Sequence, residues 1–283
     1  MATFNPAKKL LDRRGGRTLL GYLVTASANL RGNKARIFYD GCWIHQFDTD
    51  YFADWAPLTR RNLPSWLNQE RRYWLSFYAP NLGDTIIDVG AGVGIETILF
   101  SRAVGERGRV LAIEAHPRTY ACLLKTCQYN ALNNVVALNI ALVDNECAVS
   151  LEDSPQHIGN AIVPGKQGSI QVRGRRLDDV CDEHRFGEIA LVRMNIEGAE
   201  KLAIRGMESM LAKTTHVAIA CHDFKADRTG NEFFRTKKDV IGFLLDRGFK
   251  IVEMSFEKPW AKDHVYAYNA SLTTNPVASD SGP

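Results

Sequence analysis

No apolar run in this 283-residue chain approaches the roughly 20 residues that a helix needs to span a bilayer. The longest early stretch, Leu19 to Val24, is interrupted by Gly21 and Tyr22. The six cysteines (Cys42, Cys122, Cys127, Cys147, Cys181 and Cys221) form no C-x-x-C pair, and no Cys/His spacing suggests a zinc site. Neither charge sign dominates. The 35 Lys+Arg stand against 32 Asp+Glu, a net of +3, so nothing points to a dedicated nucleic-acid binder. The basic N-terminus lacks the apolar core and small-residue cleavage site of a secretory signal, and none is expected. With 45% hydrophobic and 24% charged residues the composition is that of a globular chain. Such a length builds its core without disulfide staples, so reduced, mostly buried thiols in a cytoplasmic setting are expected.

The first third reads differently from the rest. Between Lys8 and Lys34 there are seven Lys/Arg and one acid, Asp12. This is either a plain basic lead-in or a segment that docks on an acidic partner or a membrane surface. Ala35 to Phe47 is rich in β-formers around Asp40-Gly41, a hairpin signal. Ser65 to Tyr78 reads as a helix. From Asp84 strands and helices alternate, with strands at Thr85–Val89, Arg109–Ile113, Val135–Ile140, Ile189–Met194 and His216–Ala220. Short strands are expected at Cys147–Leu151 and Ser169–Val172, flanking an irregular stretch. Helices are expected over Glu96–Val104, from Pro117, over Ala199–Leu211 and over Asn231–Arg247. Lys250–Phe256 and His264–Tyr268 close the pattern. Pro259 to Asp263 is too short for a parallel crossover, so these last two strands should pair antiparallel. The expected organisation is an extension over 1–83, an α/β domain over 84–272 and a disordered tail over 273–283.

Chemistry concentrates after the first strand of the α/β part. Asp88-Val89-Gly90-Ala91-Gly92-Val93-Gly94 joins a strand to a helix, where glycines let the backbone approach a ligand and free N–H groups favour an anionic group. Glu114 ends the next strand, where a carboxylate can accept from both hydroxyls of a ribose. Together they point to an adenosine-containing ligand. Ile95 stands where the dinucleotide fingerprint needs glycine, and no G-K-[ST] follows, so NAD and ATP lose ground. An NAD-dependent oxidoreductase remains a rival reading, as does a catalytically idle cofactor-binding module.

The glycine loop, Glu114-Ala115-His116-Pro117 and Asn130 with Asn133-Asn134-Val135 resemble an S-adenosylmethionine-dependent class I methyltransferase. Arg176-Leu177-Asp178-Asp179 and Asn195-Ile196-Glu197-Gly198-Ala199-Glu200 narrow the resemblance to the FkbM-type methyltransferase family, over about Asp84 to Asp223. It implies a Rossmann-like α/β fold with a mostly parallel seven-stranded sheet and one antiparallel strand, to which the N-terminal extension is added. It also implies methyl transfer to hydroxyl oxygens of sugars or natural products. Two positions depart from the family pattern: Arg193 replaces a lysine and Asn195 an aspartate, and the lost charge argues against a tightly held metal.

Carried over by position, the resemblance assigns Asp88, Gly90, Ala91, Gly92 and Gly94 to the methionine end of the cofactor. Glu96 is a candidate for its ammonium group or for ordered water. Glu114 is assigned to the ribose, and Ala115, His116, Ile140, Ala141 and Leu142 to the adenine side. Asn195 and Glu197 end one strand, and His222 and Asp223 end the next, at the sheet edge where such folds bind ligands. A hydroxyl acceptor must lose a proton, which makes His222 the first candidate base and Glu197 the second. A neutral imidazole with an ordinary pKa is expected at His222. His45, His184, His216 and His264 lack comparable context, and His157 would sit on a loop over the acceptor. Tyr51, Trp55, Trp66, Arg71 and Arg72 of the extension are expected to cover the acceptor, a small molecule or glycan, or to form a subunit contact in a homo-oligomer. No nucleic-acid partner is expected.

Overall fold

The computed structural model describes residues 14–58, 62–153 and 170–273. His157, the glycines and prolines around it and the tail from residue 274 lie outside them. The described chain begins with α1 (Arg14–Leu30) and a meander of β1 (Ala35–Asp40), β2 (Cys42–Phe47) and β3 (Asp50–Asp54). β1 and β2 turn at Gly41, whose φ of 77° suits the tight reversal. β3 extends this sheet antiparallel to β2; the sequence pattern did not separate it from the loop. α2 (Leu63–Trp74) follows, capped by Asn62, whose Oδ1 accepts from Ser65 N at 3.3 Å. It stops at Trp74 rather than reaching Tyr78, and Phe77 and Tyr78 turn into the core.

The main sheet is built from β4 (Thr85–Val89), β5 (Arg109–Ile113), β6 (Val135–Leu138), β10 (Ile189–Met194), β11 (Thr214–Ala220), β12 (Phe249–Val252) and β13 (His264–Asn269). Its order is β12-β13-β11-β10-β4-β5-β6. β4, β5, β6, β10 and β11 are parallel, and β13 is antiparallel to both its neighbours. A mostly parallel sheet with one reversed strand matches the expected architecture. The strands are apolar on both faces because helices cover both sides. α3 (Ile95–Val104), α4 (Pro117–Tyr129), α5 (Leu177–Glu183), α6 (Glu200–Ala203), α7 (Glu208–Leu211), α8 (Asp223–Thr229) and α9 (Lys237–Leu245) complete the helical order. A small third sheet pairs β7 (Ala141–Leu142), β9 (Ile170–Arg175) and β8 (Cys147–Leu151).

Two helices differ from the sequence pattern, each for a local reason. Ala199 to Leu211 is not one helix: a 3-10 turn over Ile204–Met207 separates α6 from α7. There Gly206 sits so close to Val143 O that any Cβ would overlap it. Asn231 to Arg247 is likewise interrupted. Its start is a 3-10 turn over Glu232–Phe234, and α9 begins only where Asp223 Oδ1 accepts from Thr236 N and Lys237 N at 2.9 and 3.0 Å. Of the six free thiols, Cys122, Cys181 and Cys221 are buried and Cys147 is exposed, so burial is less general than expected.

The N-terminal sheet docks on the main domain through polar backbone pairing. Asn130, at the end of α4, accepts from Tyr51 N at 3.1 Å and donates to Tyr51 O at 2.7 Å. Thr126 Oγ1 accepts from Ala53 N at 3.0 Å. Side chains of α4 thus serve as the neighbour that the free edge of β3 lacks. Asn130→Ala should leave both Tyr51 groups without these partners. We expect a loss of about 0.5–1.5 kcal/mol in urea unfolding, the net scale of a hydrogen bond at a half-buried site. An unchanged midpoint would show that this docking contributes nothing.

Candidate active site

The chain runs outward from β4 to β5 and β6, then returns to place β10 on the other side of β4. Open α/β sheets bind ligands at such a reversal, beyond the carboxyl ends of the strands. A cavity of about 460 Å³ lies there. Its walls come from Val89 to Val93 after β4, Ile113 to Ala115 after β5, Asn195 to Glu197 after β10 and Ala220 to His222 after β11. Ile140, Ala141, Leu142 and Leu151 form an apolar side. Trp66, Trp74, Phe224 and Trp260 form an aromatic one.

Gly90 has φ 76°, and a Cβ there would overlap Asn195 O. Only glycine lets the β4 loop lie against the end of β10. Glu114 spans the loop, because Gly92 N donates to its Oε2 at 2.9 Å and His116 N to its Oε1 at 2.8 Å. The carboxylate is therefore fixed at the cavity wall. Asn195 Oδ1 is buried with no hydrogen-bond partner and belongs to a residue of the cavity wall. Such an orphaned acceptor suits a cationic donor.

Arg193 is the buried centre of this end of the sheet. Its Nη1 donates to Asp88 Oδ1 and to Gly90 O, both at 2.9 Å, and its Nη2 pairs with Glu96. The guanidinium lies over the Trp74 ring, 4.3 Å from its centroid. Burial pushes Glu96 up to about 8 against the pull of Arg193, and burial likewise raises Asp88. Asp88 is fully buried and also accepts from Thr97 Oγ1 at 2.7 Å. It is not a wall of the cavity, and neither are Gly94 and His116. These three were expected to touch the cofactor. Instead Asp88 holds Arg193, Gly94 starts α3 in a left-handed conformation, and His116 packs under Trp55 with ring centroids 4.8 Å apart.

Glu197 and His222 meet as the strand ends implied. Glu197 Oε2 lies 3.2 Å from His222 Nε2 and also pairs with Lys225. On the other side, His222 Nδ1 is 2.8 Å from Glu200 Oε1. Glu200 is fully buried and accepts as well from Gly198 N and Thr236 Oγ1, both at 3.0 Å. Burial by itself pulls the His222 pKa down, but the bond and charge of Glu200, with Glu197, outweigh it and raise it. This corrects the expectation of an ordinary imidazole. Glu197 itself has φ 57°, a conformation that non-glycine residues rarely hold and that is found at functional turns.

Several wall residues escaped the sequence reading. Glu70 accepts from Trp66 Nε1 at 3.0 Å and from Trp74 Nε1 at 2.9 Å, fixing two indoles at once. The spacing 66-70-74 places all three on one helical face, a signal available in the sequence. His264, set aside for lack of context, lines the cavity and stacks on Trp74 with centroids 4.9 Å apart. Tyr266 Oη donates to Tyr73 O at 2.8 Å, so it must accept from His264 Nδ1 at 3.0 Å. This network assigns the proton to Nδ1 and the lone pair to Nε2. Burial pushes His264 down to about 3, so the ring stays neutral. Of the extension residues expected at the acceptor, Trp66 lines the cavity, whereas Tyr51, Trp55, Arg71 and Arg72 do not. Among the described residues, no group of three or more His, Cys, Asp or Glu is placed to hold a metal ion.

The family model described as "Methyltransferase FkbM domain" matches residues 88–251. A curated relative, the hexuronic acid methyltransferase AglP of Haloferax volcanii, is 23% identical over 139 residues. That match covers 49% of this chain and 56% of the relative, so it spans little more than half of that protein's length. Among solved structures, the methyltransferase FkbM of Methylobacillus flagellatus is 16% identical, with a TM-score of 0.44, over 66% of this chain and 44% of that one. The fibrillarin of Aeropyrum pernix, solved with natively bound S-adenosyl-L-methionine, is 16% identical with a TM-score of 0.45, over 81% and 94%.

The Arg193 cluster generates a stability prediction. Arg193→Ala leaves the buried Asp88 and the half-buried Glu96 without their cation and should cost about 3–5 kcal/mol in denaturant unfolding, the scale for a broken buried pair. Arg193→Lys keeps the charge but not the fork, and should cost less. Equal, small losses in both variants would remove Arg193 from its central place.

Proposed function

This chain belongs to the FkbM methyltransferase family, and from that premise we propose that it transfers a methyl group from S-adenosylmethionine to a hydroxyl of a sugar or related natural-product acceptor. The observation that carries this reading is the Glu197–His222 pair at the wall of the cavity, backed by the buried Glu200, beside the glycine loop and Glu114. The residues present fit the cofactor. Gly90 and Gly92 leave room for its methionine end, and Glu114 suits its ribose hydroxyls. The orphaned Asn195 Oδ1 and the half-buried Glu96 at the cavity wall suit its ammonium. Ala115, Ala141 and Leu142 offer an apolar slot for its adenine. When bound, the cofactor supplies a methyl group on a sulfonium, open to in-line displacement.

The chain's own part is to place the acceptor and to receive its proton. Glu200 keeps a proton on His222 Nδ1, so Nε2 is the atom that takes up the hydroxyl proton once it is free of its own. Glu197, held by Lys225, lies beside the imidazolium that forms and stabilises it. Positioning accounts for much of the remaining acceleration. Trp66 and Trp260 offer flat apolar faces for the C–H side of a sugar ring, and neutral His264 offers an acceptor at Nε2. The sugar reading also draws support from the Haloferax volcanii relative, which is named a hexuronic acid methyltransferase.

The direct test is incubation with S-adenosylmethionine and a panel of sugars, uronic acids and phenols, with mass detection of the methylated product. Methylation of amines alone would overturn the oxygen assignment. A titration with NAD should give no binding heat.

Glu114→Ala should weaken S-adenosylmethionine by about 1.5–3 kcal/mol in calorimetry, the scale of hydrogen bonds to a charged group. Unchanged affinity would remove the ribose assignment.

A pH prediction follows from the raised His222 pKa. The base works unprotonated, so turnover should fall as pH drops through a value above 6.5. Glu200→Gln removes the carboxylate that raises it, and the acid limb should move to lower pH. His222→Ala should cut kcat by roughly 10²–10⁴ with cofactor affinity retained. An acid limb that stays in place in Glu200→Gln would assign the titration to another group.

A further inference from the structure

The basic lead-in is the one sequence feature that the cavity does not absorb. Its described part is α1, seventeen residues held on the N-terminal sheet. Thr25 Oγ1 accepts from Ile37 N at 2.8 Å and Asn29 Oδ1 from Ala35 N at 2.8 Å. Gly21, Val24 and Ala28 face inward and are buried. At 100° per residue, the opposite side of the helix carries Leu19, Tyr22, Leu23, Ala26 and Leu30 within an arc of about 100°. These are outward-facing: Leu19 is 60% exposed, Tyr22 71%, Leu23 60% and Leu30 89%. An apolar stripe of this kind on a fixed helix is a surface that binds something.

Charge says what kind of surface. Residues 14–39 contain five cations (Arg14, Arg17, Arg31, Lys34 and Arg36) and no acid. The rest of the chain then holds 30 Lys+Arg against 32 Asp+Glu, a net of −2, so the positive charge of the molecule is concentrated here. Arg31, Lys34 and Arg36 are exposed at the end of the stripe. A second copy packed on this face would oppose these cations to their own kind, whereas anionic headgroups around an apolar interior satisfy both features at once. We propose that α1 is a peripheral docking helix, which lays its Leu19–Leu30 stripe into the surface of an anionic lipid membrane. Tyr22, at one edge of the stripe, is of the residue type that favours the headgroup level. No helix of the described residues is long and apolar enough to cross a membrane, so the contact lies along the surface.

The test is flotation of the full chain with vesicles of phosphatidylcholine, alone or with about 30% phosphatidylglycerol. The protein should float with the anionic vesicles, stay behind with the neutral ones, and be released by salt. Leu19→Gln/Leu23→Gln and Arg31→Gln/Lys34→Gln should each lower the partition constant roughly tenfold. All four side chains are exposed, so the thermal midpoint should not move, and it serves as the folding control. Equal flotation of the wild type and both variants would overturn the proposal, as would equal binding to neutral vesicles. Sedimentation velocity on the same samples separates the other occupant. A concentration-dependent dimer that Leu19→Gln/Leu23→Gln disperses, with no flotation, would assign the stripe to a second copy and also overturn the lipid reading.

Discussion

The buried ion cluster at Arg193 is the constraint on which the rest of the site depends. One guanidinium on β10 reaches Asp88 at the end of β4, the carbonyl of Gly90 in the glycine loop and Glu96 in the first turn of α3. Its flat face rests on Trp74 of α2. Three pieces of chain, the end of α2, the continuous β4–loop–α3 segment and the distant β10, are thereby set in one relation before any ligand arrives. A buried cation facing two acids is stable only if its hydrogen bonds are kept, so the arrangement tolerates little displacement. The same contact that shapes the loop also anchors the helix that supplies the aromatic wall.

That helix repeats the same logic on a smaller scale. Glu70 binds the indole N–H of Trp66 and of Trp74, so neither ring can rotate without leaving a buried carboxylate short of partners. His264 stacks on Trp74 and is itself held by Tyr266 and Tyr73. The aromatic side of the cavity is thus a chain of mutually fixed rings running from α2 to β13. Opposite it, Glu200 fixes His222 through Nδ1 and leaves Nε2 to Glu197. Rigid walls of this kind lower the entropy lost when an acceptor is held.

Much of the sheet was legible in the sequence, because its cues are local. Short apolar strands, the glycine turn after Val89 and the brief link from Pro259 to Asp263 together implied a mostly parallel sheet with a reversed strand near its end. The strand ends also implied that Glu197 and His222 share one edge. What stayed hidden depends on contacts distant in sequence. Asp88 looked like a ligand residue beside a glycine loop, but its partner Arg193 lies 105 positions away. His264 had no motif around it, and its place depends on the antiparallel pairing that sets Ala220 opposite it. The breaks in the two long helices arose from Val143 O and from Asp223, neither of which a periodicity can reveal.

The division between what the family carries and what this chain adds follows the same line. The family match covers residues 88–251, which includes the glycine loop, Glu114, Arg193, Asn195, Glu197, Glu200 and His222. Trp66, Glu70, Trp74, Trp260 and His264 fall outside it. On the proposed reading, cofactor and proton chemistry therefore rest on the shared part, while the surface that meets the acceptor comes from segments before and after it. Arg193 couples the two, since it lies within the match and holds Trp74 beyond it. A relative that shares only the matched segment can thus share the chemistry and differ in the acceptor, because the rings that would contact the acceptor lie in segments that the match does not include.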